Sequence, residues 1–237
     1  MPLNLKKRDL TKYDIEVHVD KSGSMDGKDT PTGQSRLNFA RSWVETLVQE
    51  AARFDDDGVT VGFFNGEPDV YENTTFDKVA SVFRQAYPDG STDTARLIRE
   101  RTSDYLDKRL GKPAIPGKKG GLFSKGTPDV PAVPADPKTK PRIILVITDG
   151  VPDDQEALDQ VIVGVTQRMT KGGLTKSDLV ISFIQVGNDG RAKQFLDELN
   201  NGLEEKGATM DIVGCITCDE AKGLTTERLL EKALDAE

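Results

Sequence analysis

The longest clean apolar run in the chain, Ile143 to Ile147, narrows the fold more than any other feature. It falls far short of the roughly 20 apolar residues that cross a bilayer. Its side chains, mostly β-branched, do not alternate with polar ones, so a strand formed here has no face for water. Strands of that kind belong to parallel sheets covered by helices on both sides. The remaining chain must therefore supply further strands beside this one and amphipathic helices above and below it.

Those elements can be read in order. Tyr13, Ile15, Val17 and Val19 alternate with Asp14, Glu16 and His18, a strand pattern ending at Asp20. A loop through Gly27 and Gly33 leads to Leu37, Ala40, Val44, Leu47, Val48 and Ala51, whose spacing gives a helix one apolar face. Beyond Gly58 a strand covers residues 59–64. The Asn65-Gly66 turn then leads to a short strand at Val70 and Tyr71 and a helix over about 76–86. A helix over 94–110 precedes the strand at 142–148. Pro152, Asp153 and Asp154 open the next helix, where acidic side chains suit the positive end of the helix dipole. Strands over 179–186 and 210–216 and helices over 191–203 and 224–234 complete the chain. Strands alternating with helices predict an α/β fold with a mostly parallel, doubly wound sheet of six strands and helices on both faces.

The chain has 237 residues, a length that suits one such domain with an insertion. Residues 1–12 read as an N-terminal extension and 13–237 as the domain. Residues 111–141, rich in Pro, Gly and Lys and without apolar periodicity, read as a long mobile insertion. No internal repeat is visible. Lys6, Lys7 and Arg8 are followed by no apolar segment, so the start does not read as a secretory signal. Two cysteines, Cys215 and Cys218, make no disulfide framework. These absences favour a cytoplasmic protein that crosses no membrane. The net charge of −8 argues against general nucleic-acid affinity.

In a sheet of this type, ligands gather beyond the carboxyl ends of the strands. Three polar clusters are expected there: Asp20-Lys21-Ser22-Gly23-Ser24 after the first strand, Gly90-Ser91-Thr92-Asp93-Thr94 entering a helix, and Thr148-Asp149-Gly150 after the apolar strand. Carboxylates and hydroxyls are hard oxygen donors of the kind magnesium prefers, in an octahedron at roughly 2.1 Å. Extended, Asp20 and Ser24 would lie about 13 Å apart, whereas neighbouring ligands of one ion sit within roughly 3 Å. The segment must curl, and Gly23 lacks the Cβ that would resist it. Ser22, Ser24 and Thr92 bring no charge, so Asp20 and Asp149 alone offset a cation, and the site keeps an appetite for one more anionic oxygen.

Asp-x-Ser-x-Ser after a first strand, Thr92 within Gly-x-Thr-x-Thr, and Asp149 within Ile-Thr-Asp-Gly together resemble the metal-ion-dependent adhesion site of the von Willebrand factor A (vWA) family. The resemblance extends over about residues 13–234 and implies a Rossmann-like vWA fold. It implies a metal held by Asp20, Ser22, Ser24, Thr92 and Asp149: magnesium, with manganese or calcium as alternatives. Thr92 is the implied ligand rather than Thr94, because the family uses the first threonine. It implies a binding module without enzymatic activity, whose partner protein completes the metal shell with an Asp or Glu. Intracellular bacterial members, some in tellurium-resistance or stress systems and others with AAA+ ATPases, resemble the chain in being free-standing and lacking a signal. Against the family, Glu16 and His18 interrupt a first strand that is usually apolar on both faces.

Strand parity puts His18 on the side of Asp20, where it either supports a ligand carboxylate or is a hydrogen-bonded histidine on a partly polar face; the second reading is favoured. Cys215 and Cys218 have zinc-motif spacing, but the chain offers one His beside them, too few for a structural zinc site. They read as thiols at a strand end. Asp55-Asp56-Asp57 reads as a surface turn. Between residues 111 and 142, seven basic side chains (Lys112, Lys118, Lys119, Lys125, Lys138, Lys140 and Arg142) face two acidic ones, Asp129 and Asp136. Such a segment is either solvated or steers a partner. Two other functions fit parts of the pattern. One is a magnesium-dependent phosphatase with Asp20 as nucleophile, although Ser22 stands where a second Asp, the general acid, would be needed. The other is an RNA-binding protein using the basic insertion.

Overall fold

The structure, a computed structural model, describes residues 9–53, 55, 58–117, 127–221 and 224–235. Residues 1–8 of the expected extension, Asp56, Asp57, Lys118, Lys119, Lys125 and the side chain of Cys218 lie outside the described residues. In chain order the elements are β1 (Asp14–Asp20), α1 (Arg36–Ala51), β2 (Val59–Phe64), β3 (Asp69–Thr74), α2 (Phe76–Phe83), α3 (Thr94–Leu110), β4 (Arg142–Thr148), α4 (Gln155–Lys171), β5 (Leu179–Gln185), α5 (Gly190–Gly202), β6 (Val213–Thr217), α6 (Cys218–Ala221) and α7 (Thr226–Leu234).

The apolar run behaves as its composition requires. Every residue of β4 is buried, as is every residue of its parallel neighbour β5. The described strands form a six-stranded sheet in the order β3-β2-β1-β4-β5-β6, parallel throughout except for β3, which lies antiparallel on the edge. Helices α1, α2 and α7 cover one face, packing Val44, Leu47, Val79 and Leu230 on Ile15, Val17, Ile143 and Leu145. The helices α3, α4 and α5 cover the other, packing Leu97, Ile162 and Leu196 on Ile144, Val146 and Phe183. The six apolar positions expected on α1 are its buried positions; each large aliphatic among them contributes roughly 1.5–3 kcal/mol through burial.

Two features of the fold position the site. The winding direction reverses between the adjacent strands β1 and β4, which opens a crevice at their carboxyl ends. Asp20 is the last residue of β1 and Thr148 the last of β4, so the first and third polar clusters meet there. The second feature is the face that β1 turns toward α3: Glu16, His18 and Asp20, all buried. His18 fits in mid-sheet because its partner on β2 is Gly62, where any side chain would collide with the imidazole.

Elsewhere the structure corrects local expectations. The strand expected at Val70 and Tyr71 runs over Asp69–Thr74, and the final strand begins at Val213 rather than Met210. Asp55 is buried at 3% exposure, with Lys140 Nζ 3.9 Å from its Oδ1, so it is not a surface-turn residue. The insertion is not featureless: Lys112 bridges Val133 and Ile115 bridges Val130 as short antiparallel pairs. Arg142 does not belong to its exposed charge, being buried at the start of β4. Among the described residues, no helix is long and apolar enough to cross a membrane.

Candidate functional site

Asp20 ends β1 with no exposure, and each of its oxygens accepts a hydrogen bond: Oδ1 from the Ser22 backbone N–H at 2.7 Å and Oδ2 from the Thr148 hydroxyl at 2.8 Å. After Ser22 the chain curls through a 3-10 turn, Gly23–Asp26, anchored inward by buried Met25. The turn is tied sideways by Gly23 N–H donating to the Gly90 carbonyl at 3.3 Å, which draws the first and second polar clusters together. The curl brings the hydroxyl oxygens of Ser22 and Ser24 to 3.0 Å of each other, and Ser24 donates to Asp149 Oδ1 at 2.8 Å.

Thr92 enters from the loop before α3. Its backbone N–H donates to Asp153 Oδ2 at 3.0 Å, and Asp153 N–H donates back to the Thr92 carbonyl at 3.1 Å, locking that loop to the loop after β4. Among the described residues, the Thr92 hydroxyl has no hydrogen-bond partner. Thr92 and exposed Ser24 line one open depression with Gly150, walled on the far side by Gln194 and Glu198 of α5. Thr94 instead starts α3 and is buried. Asp93, Asp154 and Asp189 accept from the first turns of α3, α4 and α5, so three acidic residues at this rim serve as helix caps.

The electrostatics divide the two carboxylates. Burial pushes the Asp20 carboxyl up to about 6; hydrogen bonds from Ser22 and Thr148 oppose the rise, and the charge of Asp149 adds to it. Among the described residues no basic side chain pairs with Asp20. Asp149, also buried, has one: Arg36 Nη1 donates to its Oδ2 at 2.6 Å. The same guanidinium forks onto Asp29 through Nε and Nη2, each at 2.7 Å. That fork holds the Asp29 carboxyl well below its ordinary range.

His18 belongs to a different group. Its Nε2 lies 2.9 Å from Glu16 Oε2, and Arg101 donates to both Glu16 oxygens at 2.9 and 2.8 Å while Arg142 Nη1 sits 2.8 Å from Oε1. Burial would raise the Glu16 carboxyl, but Arg101, His18 and Arg142 outweigh it and hold it far below the ordinary carboxylate range. His18 is therefore the hydrogen-bonded histidine of the favoured reading, on a polar stretch of the sheet face that is buried. Cys215 is half-buried, its thiol donates to the Leu196 carbonyl at 3.2 Å, and burial pushes it up to about 12, which makes it a poor nucleophile or ligand.

The fold thus brings Asp20, Ser22, Ser24 and Asp149 into one hydrogen-bonded cluster and sets Thr92 on the same depression. Sequence reading passed over Arg36, Asp29 and the Thr148 hydroxyl, and assigned Asp153 to opening a helix; here Asp153 joins two loops and Asp154 is the cap. Thr148 stood beside Asp149 in the third cluster and strand register alone pointed it at Asp20. Nothing in the local sequence marked Arg36, the first residue of an ordinary helix.

Whether these groups suit a divalent ion can be asked of their spacing. An octahedron with roughly 2.1 Å bonds has edges of about 3.0 Å, and the O···O separations along Ser22, Ser24 and Asp149 are 3.0 and 2.8 Å. Among the described residues no three His, Cys, Asp or Glu side chains converge as a metal cluster. Any ion here must rely on hydroxyls with two carboxylates, a hard donor set.

No family model and no curated protein matches the chain. Solved structures do. A von Willebrand factor type A protein from Catenulispora acidiphila is 13% identical with a TM-score of 0.54, over 94% of this chain and 43% of that one. Manganese-loaded TRAP from Plasmodium vivax is 15% identical with a TM-score of 0.54, over 90% of this chain and 72% of that one. The vWF domain of the type V pili tip protein Mfa5 from Porphyromonas gingivalis is 11% identical with a TM-score of 0.50, over 94% of this chain and 95% of that one. The chain spans less than half the length of the first of these. At such identities the likeness shows the fold, which is the Rossmann-like vWA fold, and leaves the chemistry to the residues.

Proposed function

We propose that this protein is a divalent-metal-dependent protein-binding module without catalytic activity. The vWA fold often serves protein interaction, and one observation carries the finer reading: the Ser22 and Ser24 hydroxyls of one loop and a carboxylate oxygen of Asp149 from another stand at octahedral edge distances at the carboxyl end of the β1–β4 crevice. Ser22, Ser24 and Thr92 would hold the ion through their hydroxyls, and Asp20 and Asp149 would balance its charge directly or through water. When bound, a hard cation such as magnesium or manganese supplies a coordination position for an external carboxylate. The residues of this chain do the rest. Thr148 and the Ser22 N–H fix the direction of Asp20, Asp153 fixes Thr92, and exposed Ser24 leaves the approach open. A partner Asp or Glu is the group that fits, because it adds the anionic oxygen that the neutral hydroxyls do not provide.

The phosphatase reading gains no support from this arrangement. A nucleophilic Asp20 would need a proton donor at position 22, and that position carries a serine hydroxyl. The basic insertion is also a weaker nucleic-acid surface than its composition implied. Lys112 pairs with Asp107 at 3.0 Å, and Arg142 is committed to Glu16.

Manganese titration of the full chain by calorimetry tests the proposal. One site per chain is expected, lost in the double variant Asp20→Ala, Ser22→Ala. Capture of a partner from the native cell should depend on the ion and be abolished by chelator. Manganese uptake that survives the double variant would overturn the assignment.

A further inference from the structure

Arg36 is more deliberately seated than a surface arginine at a helix start. Its guanidinium lies close against two glycines: a Cβ at Gly187 would stand 2.5 Å from Nε and one at Gly27 would stand 3.1 Å from it. Gly187 has φ +82, a conformation that favours glycine, so the loop after β5 is shaped to leave this space. The Arg36 backbone N–H is held by the Gly27 carbonyl at 2.8 Å. Asp29, which grips the outer edge of the guanidinium, is itself fixed by the Asn188 N–H at 3.1 Å. One side chain thereby joins the loops after β1, β4 and β5, with its Nη1 aimed at Asp149.

We propose that Arg36 is the resident counter-cation of Asp149: it holds that carboxylate when no divalent ion is bound and opposes the ion's binding. This inference rests on the metal-dependent reading above. Two buried carboxylates close enough to influence each other are costly to keep ionised together. Asp20 is met by neutral donors, so the one positive charge that the described chain brings to the pair comes from Arg36. An incoming ion must share Asp149 with it. Even with the full screening of water, a divalent ion and a guanidinium about 6 Å apart repel enough to change binding roughly tenfold. Arg36 also occupies Asp149 Oδ2 while Ser24 occupies Oδ1, which disfavours two-oxygen chelation by that carboxylate.

The test is calorimetric titration of Mn²⁺ into the full-length parent, Arg36→Gln and Arg36→Lys. Arg36→Gln should bind Mn²⁺ about tenfold more tightly or better, although its metal-free form melts at a lower temperature. Arg36→Lys keeps the charge and should stay within about threefold of the parent. An arginine that merely props up the loops would give the reverse, weaker binding in Arg36→Gln. Weaker or unchanged binding there overturns the inference while leaving the metal site standing. A parent that takes up no Mn²⁺ removes both. Should Arg36→Gln fail to fold, the parent itself is informative. Its Arg36 Nε–H resonance, assigned by its loss in Arg36→Lys, should move on adding Mg²⁺, and an unmoved signal overturns the inference.

Discussion

Glu16 and Asp20 stand on the same face of one strand, both buried, and the chain treats them in opposite ways. Glu16 is surrounded by Arg101, Arg142 and His18 and is held ionised far below the ordinary range. Asp20 receives one N–H and one hydroxyl, and burial lifts it to about 6. The first is a closed ion cluster in mid-sheet under α3. The second lies at the strand end beside an open depression. A chain able to place two arginines on one buried carboxylate leaves the other without a cation among the described residues, and on the proposed function the difference separates charge that maintains the fold from charge available to an outside ion.

The largest test of that contrast is to neutralise each in turn. Glu16→Gln leaves Arg101 and Arg142 without their buried counter-charge and should lower stability by about 3–5 kcal/mol in urea denaturation. Asp20→Asn removes a charge that the fold disfavours, so the metal-free protein should be at least as stable as the parent and should no longer gain stability from Mn²⁺. Equal losses in the two variants would erase the distinction.

Acid titration sharpens it further, because the two groups have opposite signs. Glu16 has a depressed folded value, so its contribution is present above its ordinary value of 4.5 and is lost as pH falls below that toward the depressed one. Asp20 has a raised folded value, so the folded form takes up a proton more readily than the unfolded chain. Stability of the metal-free protein should therefore rise, on the order of 2–3 kcal/mol, as pH falls from above 6 toward 3.8. Stabilisation by Mn²⁺ should be present at pH 7–8 and fade as Asp20 protonates near 6. Denaturation midpoints from pH 4 to 8, with and without Mn²⁺, check both; a metal effect that persists unchanged at pH 5 would break the link between Asp20 and the ion.

The smallest expected effect lies beside the closed cluster. Tyr105 is fully buried beneath the Arg142 guanidinium, 5.3 Å from ring centroid to Cζ, and its hydroxyl has no hydrogen-bond partner among the described residues. Tyr105→Phe should be neutral or stabilising by under about 1 kcal/mol, since it removes an unsatisfied buried oxygen and keeps the ring. A loss above about 1 kcal/mol in the same denaturation assay would show that the hydroxyl has a structural partner.

How much of this was legible beforehand follows from the range of each interaction. Helix α1 and strand β4 could be read because their burial repeats with a local period that neighbouring residues carry. Asp20, Ser22, Ser24, Thr92 and Asp149 could be proposed because each sits in a short polar cluster at a strand or helix end. The start of α7 was less legible, since a turn of helix at Cys218–Ala221 precedes it without a periodic signal. Asp55 and Arg142 were misjudged because charge predicts exposure only until a partner is known. Lys140 approaches Asp55, and Glu16 receives Arg142.

Local order in the sequence determined that this protein has a mostly parallel α/β sheet and that three polar segments crown it, because periodicity and strand ends are properties of neighbouring residues. Only the tertiary structure decided which carboxylate keeps a cation from its own chain. Arg36 meets Asp149 across 113 positions and Arg101 meets Glu16 across 85, and such pairings arise only when strand order and helix packing bring distant residues within a hydrogen bond.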